Sequence, residues 1–230
     1  MSAPEETSFL YPFIEADAVD VDALLTDLAS SARRKAAESL ALQRSSLAEM
    51  AADIDAAGHL MGERFANGGR LYTFGNGGSS TDATTLAAMF RNPAHGRPVP
   101  AWALTEDQAV VTALGNDVGF DLIFSRQLIG LATERDVAIA LSTSGNSDDL
   151  LRGLGEARKR GLMTIGFAGH DGGQMAVSDD LDFCFTVRSQ SIHRIQESHA
   201  MIGYHLWLTA QAELTSRRRR ASAGSTIGRS

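Results

Sequence analysis

Five short apolar runs, roughly thirty residues apart, constrain the fold of this chain more than any other feature. They are Arg70–Phe74, Val99–Leu104, Val137–Leu141, Met163–Phe167 and Phe183–Val187. Between and after them lie stretches with apolar residues at three- and four-residue spacing: Ser79–Phe90, Asp107–Leu114, Asp121–Leu131, Ser147–Arg160 and Gly173–Ser178. Buried strands alternating with helices specify an α/β fold, a doubly wound five-stranded parallel sheet, with ligands bound at the carboxyl ends of the strands.

The flanks read differently. From Asp20 to about Gly58, Leu24, Leu25, Leu28, Leu40, Leu47, Met50 and Ile54 recur with helical spacing and no proline intervenes. This predicts two helices, or one long helix bent near Ser30-Ser31, then a short helix from His59 to Ala66 closed by Asn67-Gly68-Gly69. A last long helix is expected over His193–Ser216. The resulting division is an aromatic arm (1–18, with Phe9, Tyr11 and Phe13), a helical oligomerisation segment (19–66), the α/β domain (67–216) and a disordered basic tail (217–230).

Charge narrows the function classes. The net charge is -7, with 11 acids against 4 bases in residues 1–60 and five arginines without an acid in residues 216–230. The acidic balance argues against a general nucleic-acid binder. Arg217–Arg220 complement the dipole of a helix end, or offer an electrostatic contact to an acidic partner or nucleic acid. One cysteine, Cys184, lies inside an apolar run, so no disulfide framework exists and a reducing cytoplasm is expected. The first residues lack a basic and apolar leader, and no apolar run is long enough for a membrane span.

Two turns carry the chemistry. Ser142-Thr143-Ser144-Gly145-Asn146-Ser147 ends the third run and opens a helix, so four hydroxyls and free backbone N–H groups sit at the positive end of a helix dipole, where the natural ligand is a phosphate. Ser147 alone could be an ordinary N-cap, and Asp148 and Asp149 would suit the same dipole; an anion tolerates them only if they point to solvent. The first run ends in Gly75-Asn76-Gly77-Gly78-Ser79-Ser80-Thr81-Asp82, whose glycines allow close backbone approach to a ligand. No Lys-Ser/Thr follows as in a Walker loop, and Ser80 stands where a dinucleotide fingerprint needs its third glycine.

Together these two loops resemble the sugar isomerase (SIS) fold, and within it the phosphoheptose isomerase family. The likeness continues through Ala103–Asp107, Gly115–Asp121, Gly169–Gly173 and Arg194–His199, in family order and spacing. The resemblance implies a homotetramer with active sites at subunit contacts. It implies that Asn76, Gly77, Ser79, Asp107 and Gln196 hold a sugar whose phosphate sits on Ser142, Thr143, Ser144 and Ser147. The family reaction moves a proton between adjacent carbons of a heptose phosphate through an enediol.

The pattern breaks at the family's zinc positions. A His and a Glu four residues on are replaced by Thr85 and Met89; Gln196 is kept, and the His eight residues later is Tyr204. The resemblance therefore implies a phosphosugar-binding protein without metal or other cofactor and without the usual isomerase apparatus, in a sensor or assembly role. An isomerase using a different acid–base pair, drawn from Asp82, Glu197, His199 and Tyr204, is the alternative, with Gln196 and His199 as candidate catalytic residues. His199 is also the position of a structural family histidine. A further alternative is a protein-binding regulator similar to the protein that associates with the bacterial replication initiator, using the N-terminal arm or the arginine tail.

Overall fold

The computed structural model describes residues 21–227, so the aromatic arm expected over residues 1–18 lies outside the described residues. These residues divide between Ala41 and Leu42 into two compact units. The first is the N-terminal part of helix α1 (Val21–Glu49), on which Val21, Leu24, Leu25, Leu28 and Leu40 are exposed.

The second unit holds the rest of α1, α2 (Ala51–Ala66), β1 (Leu71–Gly75), α3 (Gly78–Arg91), β2 (Ala101–Ala103), α4 (Gln108–Asp117), α5 (Ile123–Leu131), β3 (Val137–Leu141), α6 (Asp148–Lys159), β4 (Met163–Gly169), β5 (Phe183–Val187) and α7 (Ile192–Ile227). The five strands are parallel in the order β2-β1-β3-β4-β5, with Leu71 opposite Val137 and Gly75 opposite Leu141. Side chains alternate between the faces of each strand. Leu71, Ile139, Leu141, Ile165 and Phe167 meet α2, α3 and α7 through Phe65, Phe90, Ile202 and Leu206. Tyr72, Phe74, Ala138 and Ala140 meet α5 and α6 through Phe124, Leu128, Leu150 and Leu154.

The helical flank departs from expectation. No break occurs at Ser30-Ser31, and Gly58 ends nothing; α1 gives way to α2 at Met50 (φ -100°, ψ 9°). A Cβ on Gly58 would lie 2.5 Å from Thr209 Cβ, and one on Gly62 2.8 Å from the Ala210 carbonyl. The glycines let α2 lie close against α7. With Ile54, Ala57, Met61 and Phe65 buried, α2 packs into the main core. The expected helix at Gly173–Ser178 is a single 3-10 turn, Met175–Val177, because Gly172 and Gly173 adopt positive φ (94° and 54°). Helix α7 runs past Ser216 to Ile227, into the expected tail, first through Arg217–Ala221, all good helix formers. Among the described residues no helix is long and apolar enough to cross a membrane.

Candidate functional site

In an open parallel sheet the ligand crevice forms where successive crossovers leave in opposite directions. Here that point lies between β1 and β3, and the two loops singled out in the sequence follow those two strands.

The loop after β3 is folded on itself. Gly145 N–H donates to the buried Ser142 Oγ (3.0 Å), Asn146 N–H to Ser144 Oγ (3.3 Å), and Asn146 Nδ2 to the Ser144 carbonyl (3.0 Å). Gly145 has φ +67°, and a Cβ there would sit 2.0 Å from the Gly172 carbonyl oxygen, so only glycine fits. Asn146 Oδ1 accepts from Gln174 N–H (2.9 Å), pinning the loop to the segment after β4. Ser147 takes the N-cap position of α6, and its carbonyl accepts from Leu150 and Leu151 (3.1 and 3.0 Å). Its side chain makes no capping bond. The ordinary-cap alternative therefore does not describe this residue. Among the described residues its hydroxyl has no hydrogen-bond partner, and it lies at the positive end of α6 beside half-buried Thr143 and exposed Ser144.

The loop after β1 faces it. Gly77 (φ +54°) precedes α3, and Ser79, buried, donates its N–H to the Asn76 carbonyl (3.0 Å). Asn76 Nδ2 donates to both oxygens of Asp149, at 3.0 and 2.8 Å. Asp148 is exposed, as an anion site requires, but Asp149 is buried at 4% and is directed at Asn76 rather than at solvent. In the sequence Asp149 reads only as a dipole partner; the pairing joins residues 73 positions apart, and nothing local signals it. It leaves Asn76 Oδ1 as the end that side chain can offer a ligand.

Gln196, from α7, lies against the same loop: a Cβ on Gly78 would be 2.6 Å from its Nε2. That amide donates to Asp82 Oδ2 (2.8 Å). Burial raises the Asp82 carboxyl above the usual carboxylate range, while the Gln196 hydrogen bond acts the other way. Asp82, Thr85, Met89 and His199 line a cavity of about 90 Å³. His199 is buried at 1%, and its Nε2–H donates to the Ala168 carbonyl (2.9 Å), so the ring is fixed to β4. Burial lowers its pKa to about 4, keeping the imidazole neutral. Its Nδ1 has no partner among the described residues. Glu197 is exposed, and Tyr204 stacks on Trp207 with centroids 5.7 Å apart. Asp107, in the segment after β2, is the N-cap of α4 and accepts from Val110 N–H (3.1 Å).

The arrangement sets hydroxyls at the N-terminus of α6 at one strand end and the half-buried Asp82 carboxyl beside the neighbouring loop. A family model described as SIS domain matches residues 36–169. The chain belongs to the SIS domain family. Among curated relatives, the SIS protein is 46% identical over 146 residues to the phosphoheptose isomerase of a Nitratiruptor species, covering 63% of this chain and 77% of that one. To the phosphoheptose isomerase of Leptospira biflexa it is 36% identical over 181 residues, covering 77% and 92%. Among solved structures, the phosphoheptose isomerase of Neisseria gonorrhoeae superimposes with a TM-score of 0.74 at 32% identity, over 80% of this SIS protein and 99% of that chain.

Proposed function

We propose that the protein binds a phosphorylated sugar between β1 and β3. The phosphate rests on Ser142, Thr143, Ser144 and Ser147, and the sugar hydroxyls lie toward Asn76, Gly77, Ser79, Asp107 and Gln196. The observation that carries this reading is the uncapped Ser147 hydroxyl at the head of α6, which leaves a polar group aimed by the helix dipole for an anion. The phosphoheptose isomerase names of the relatives support the same ligand class.

The reading includes loss of the zinc-dependent apparatus. The four positions at which the resemblance expects a metal carry Thr85, whose hydroxyl donates to the Thr81 carbonyl (2.9 Å); Met89, packed against the core; Gln196, engaged with Asp82; and Tyr204, stacked on Trp207. Zinc sites use thiolate, imidazole and carboxylate donors, and this set does not fit one. A binding protein in a sensor or assembly role follows. The homotetramer that the resemblance implies would give the exposed leucines of α1 a surface to pack on, and a protein partner would meet the 1–18 arm or the arginine-rich end of α7, where Arg220 is exposed. A cytoplasmic setting suits the lone thiol.

A second reading has a specific observation behind it. Asp82 is a carboxyl raised by burial and held by Gln196 beside the loop, a suitable base for taking a proton from the carbon next to a carbonyl. The relatives' names favour an isomerase of this kind. In it His199, committed to Ala168, is a positioning residue rather than the acid.

One experiment separates the readings. The protein is incubated with sedoheptulose 7-phosphate and related sugar phosphates in heavy water, and binding is followed by thermal shift. A ligand at 100 times its Kd adds about 2.7 kcal/mol of stability. Stabilisation without deuterium at C1 or C2 supports the binding protein. Deuterium uptake lost in Asp82→Asn supports the isomerase. No stabilisation by any sugar phosphate overturns both.

A further inference from the structure

On the α5 face of the sheet, a cleft of about 600 Å³ opens between β2, α4 and α5. That volume falls within the range of small-molecule sites, and the lining is largely apolar, with Tyr72, Trp102, Leu104, Val110, Leu114 and Leu131. Trp102 is 42% exposed although it lies on a strand, and one face of its indole stacks on Tyr72 with centroids 6.0 Å apart and 23° between planes. The aromatic surface is thus rigid and open.

The charges around the cleft are unequal in availability. Both carboxylates that line it are engaged: Glu106 accepts two bonds from Arg91 (3.1 Å each), and Asp107 caps α4. Arg70 is held by Asp136 and lies over the Tyr72 ring at 5.7 Å. Arg126 is exposed on α5 and has no ion pair among the described residues. A flat apolar wall with one uncommitted guanidinium at its edge fits one ligand chemistry well.

We propose that this cleft binds a small planar aromatic anion, its ring packed against Trp102 and its carboxylate paired with Arg126. A guanidinium recognises a carboxylate through paired N–H donors, and an indole face takes a second ring by offset stacking. The cleft shares Asp107 with the proposed sugar site, but the phosphosugar test uses other ligands and the proposal stands on Trp102 and Arg126, so the two fail separately.

The test titrates the full chain calorimetrically with 1-naphthoate and with neutral 1-naphthamide. The expected result is one saturable site per chain for naphthoate, several-fold weaker for the amide. Trp102→Ala weakens naphthoate binding at least tenfold, and Arg126→Gln removes the preference for the anion. Because Arg126 is exposed, its variant decides the matter if Trp102→Ala fails to fold. Three results would overturn the proposal: no saturable binding at millimolar naphthoate; affinity unchanged in the variants; or a smaller oligomer for Trp102→Ala in sedimentation, which would identify a second copy of the chain as the occupant.

Discussion

Asn76 Nδ2 contacts both carboxylate oxygens of Asp149, at 3.0 and 2.8 Å, and so ties the glycine loop after β1 to the first turn of α6. The two bonds satisfy a carboxylate that is buried at 4% in the first turn of α6. Removing the carboxylate from a buried charged hydrogen bond leaves the amide donor without its acceptor. Asp149→Ala is expected to lose about 1–3 kcal/mol of stability in urea unfolding and to reduce the thermal shift given by sugar phosphates. An unchanged shift in a folded variant would separate the pair from ligand binding.

Ser147 and Asp107 occupy the same position of their helices but do different things. Asp107 caps α4 through its side chain and Ser147 does not cap α6. Asp107→Ala is therefore expected to cost about 1 kcal/mol of stability, a typical cap loss, and Ser147→Ala only a few tenths. If Ser147 serves the phosphate, the order reverses for ligand: Ser147→Ala, like Ser144→Ala, weakens the stabilisation by sugar phosphate. Paired urea melts with and without ligand read both quantities.

Gly145 combines a left-handed backbone with a carbonyl where its side chain would be. Gly145→Ala meets strain of about 1–2 kcal/mol from φ alone and must also displace Gly172. The expected outcome is a loss of more than about 2 kcal/mol together with loss of phosphosugar binding, because the displaced backbone belongs to the segment that pins the loop after β3. A stable Gly145→Ala protein that binds normally would show the loop to be free to rearrange.

His199 makes acid stability a readout of its burial. Its pKa is lowered from 6.5 to about 4 in the folded protein, so between those values the unfolded chain binds the additional proton. Its contribution is present above pH 6.5, is lost as pH falls toward 4, and amounts to about 3 kcal/mol in total. His199→Gln, which cannot titrate, is expected to flatten the stability profile across that window. An identical slope in parent and variant would assign the acid sensitivity to other groups.

Most of the sheet was legible because a buried strand must be locally apolar: all five runs became strands, and the serine- and glycine-rich turns fell at the carboxyl ends of β3 and β1. Failures came where one residue type serves two purposes. Gly58 reads as a helix terminator, yet its missing Cβ is what lets α2 approach Thr209 on α7. Gly172 and Gly173 break the expected helix because their positive φ values turn the segment toward the β3 loop. His199 reads in the sequence first as a structural histidine and second as a catalytic candidate, and its bond to Ala168, 31 residues away, is not signalled locally.

The sequence by itself determined the strand-and-helix alternation, the sheet class and the two loops, since each depends on residues adjacent in the chain and on a period of two or 3.6. Only the tertiary structure decided what those loops face. Asn76 with Asp149, Asp82 with Gln196 and Tyr72 under Trp102 are contacts between separate elements. Their geometry follows from strand order and helix packing, and no local pattern of side chains encodes it.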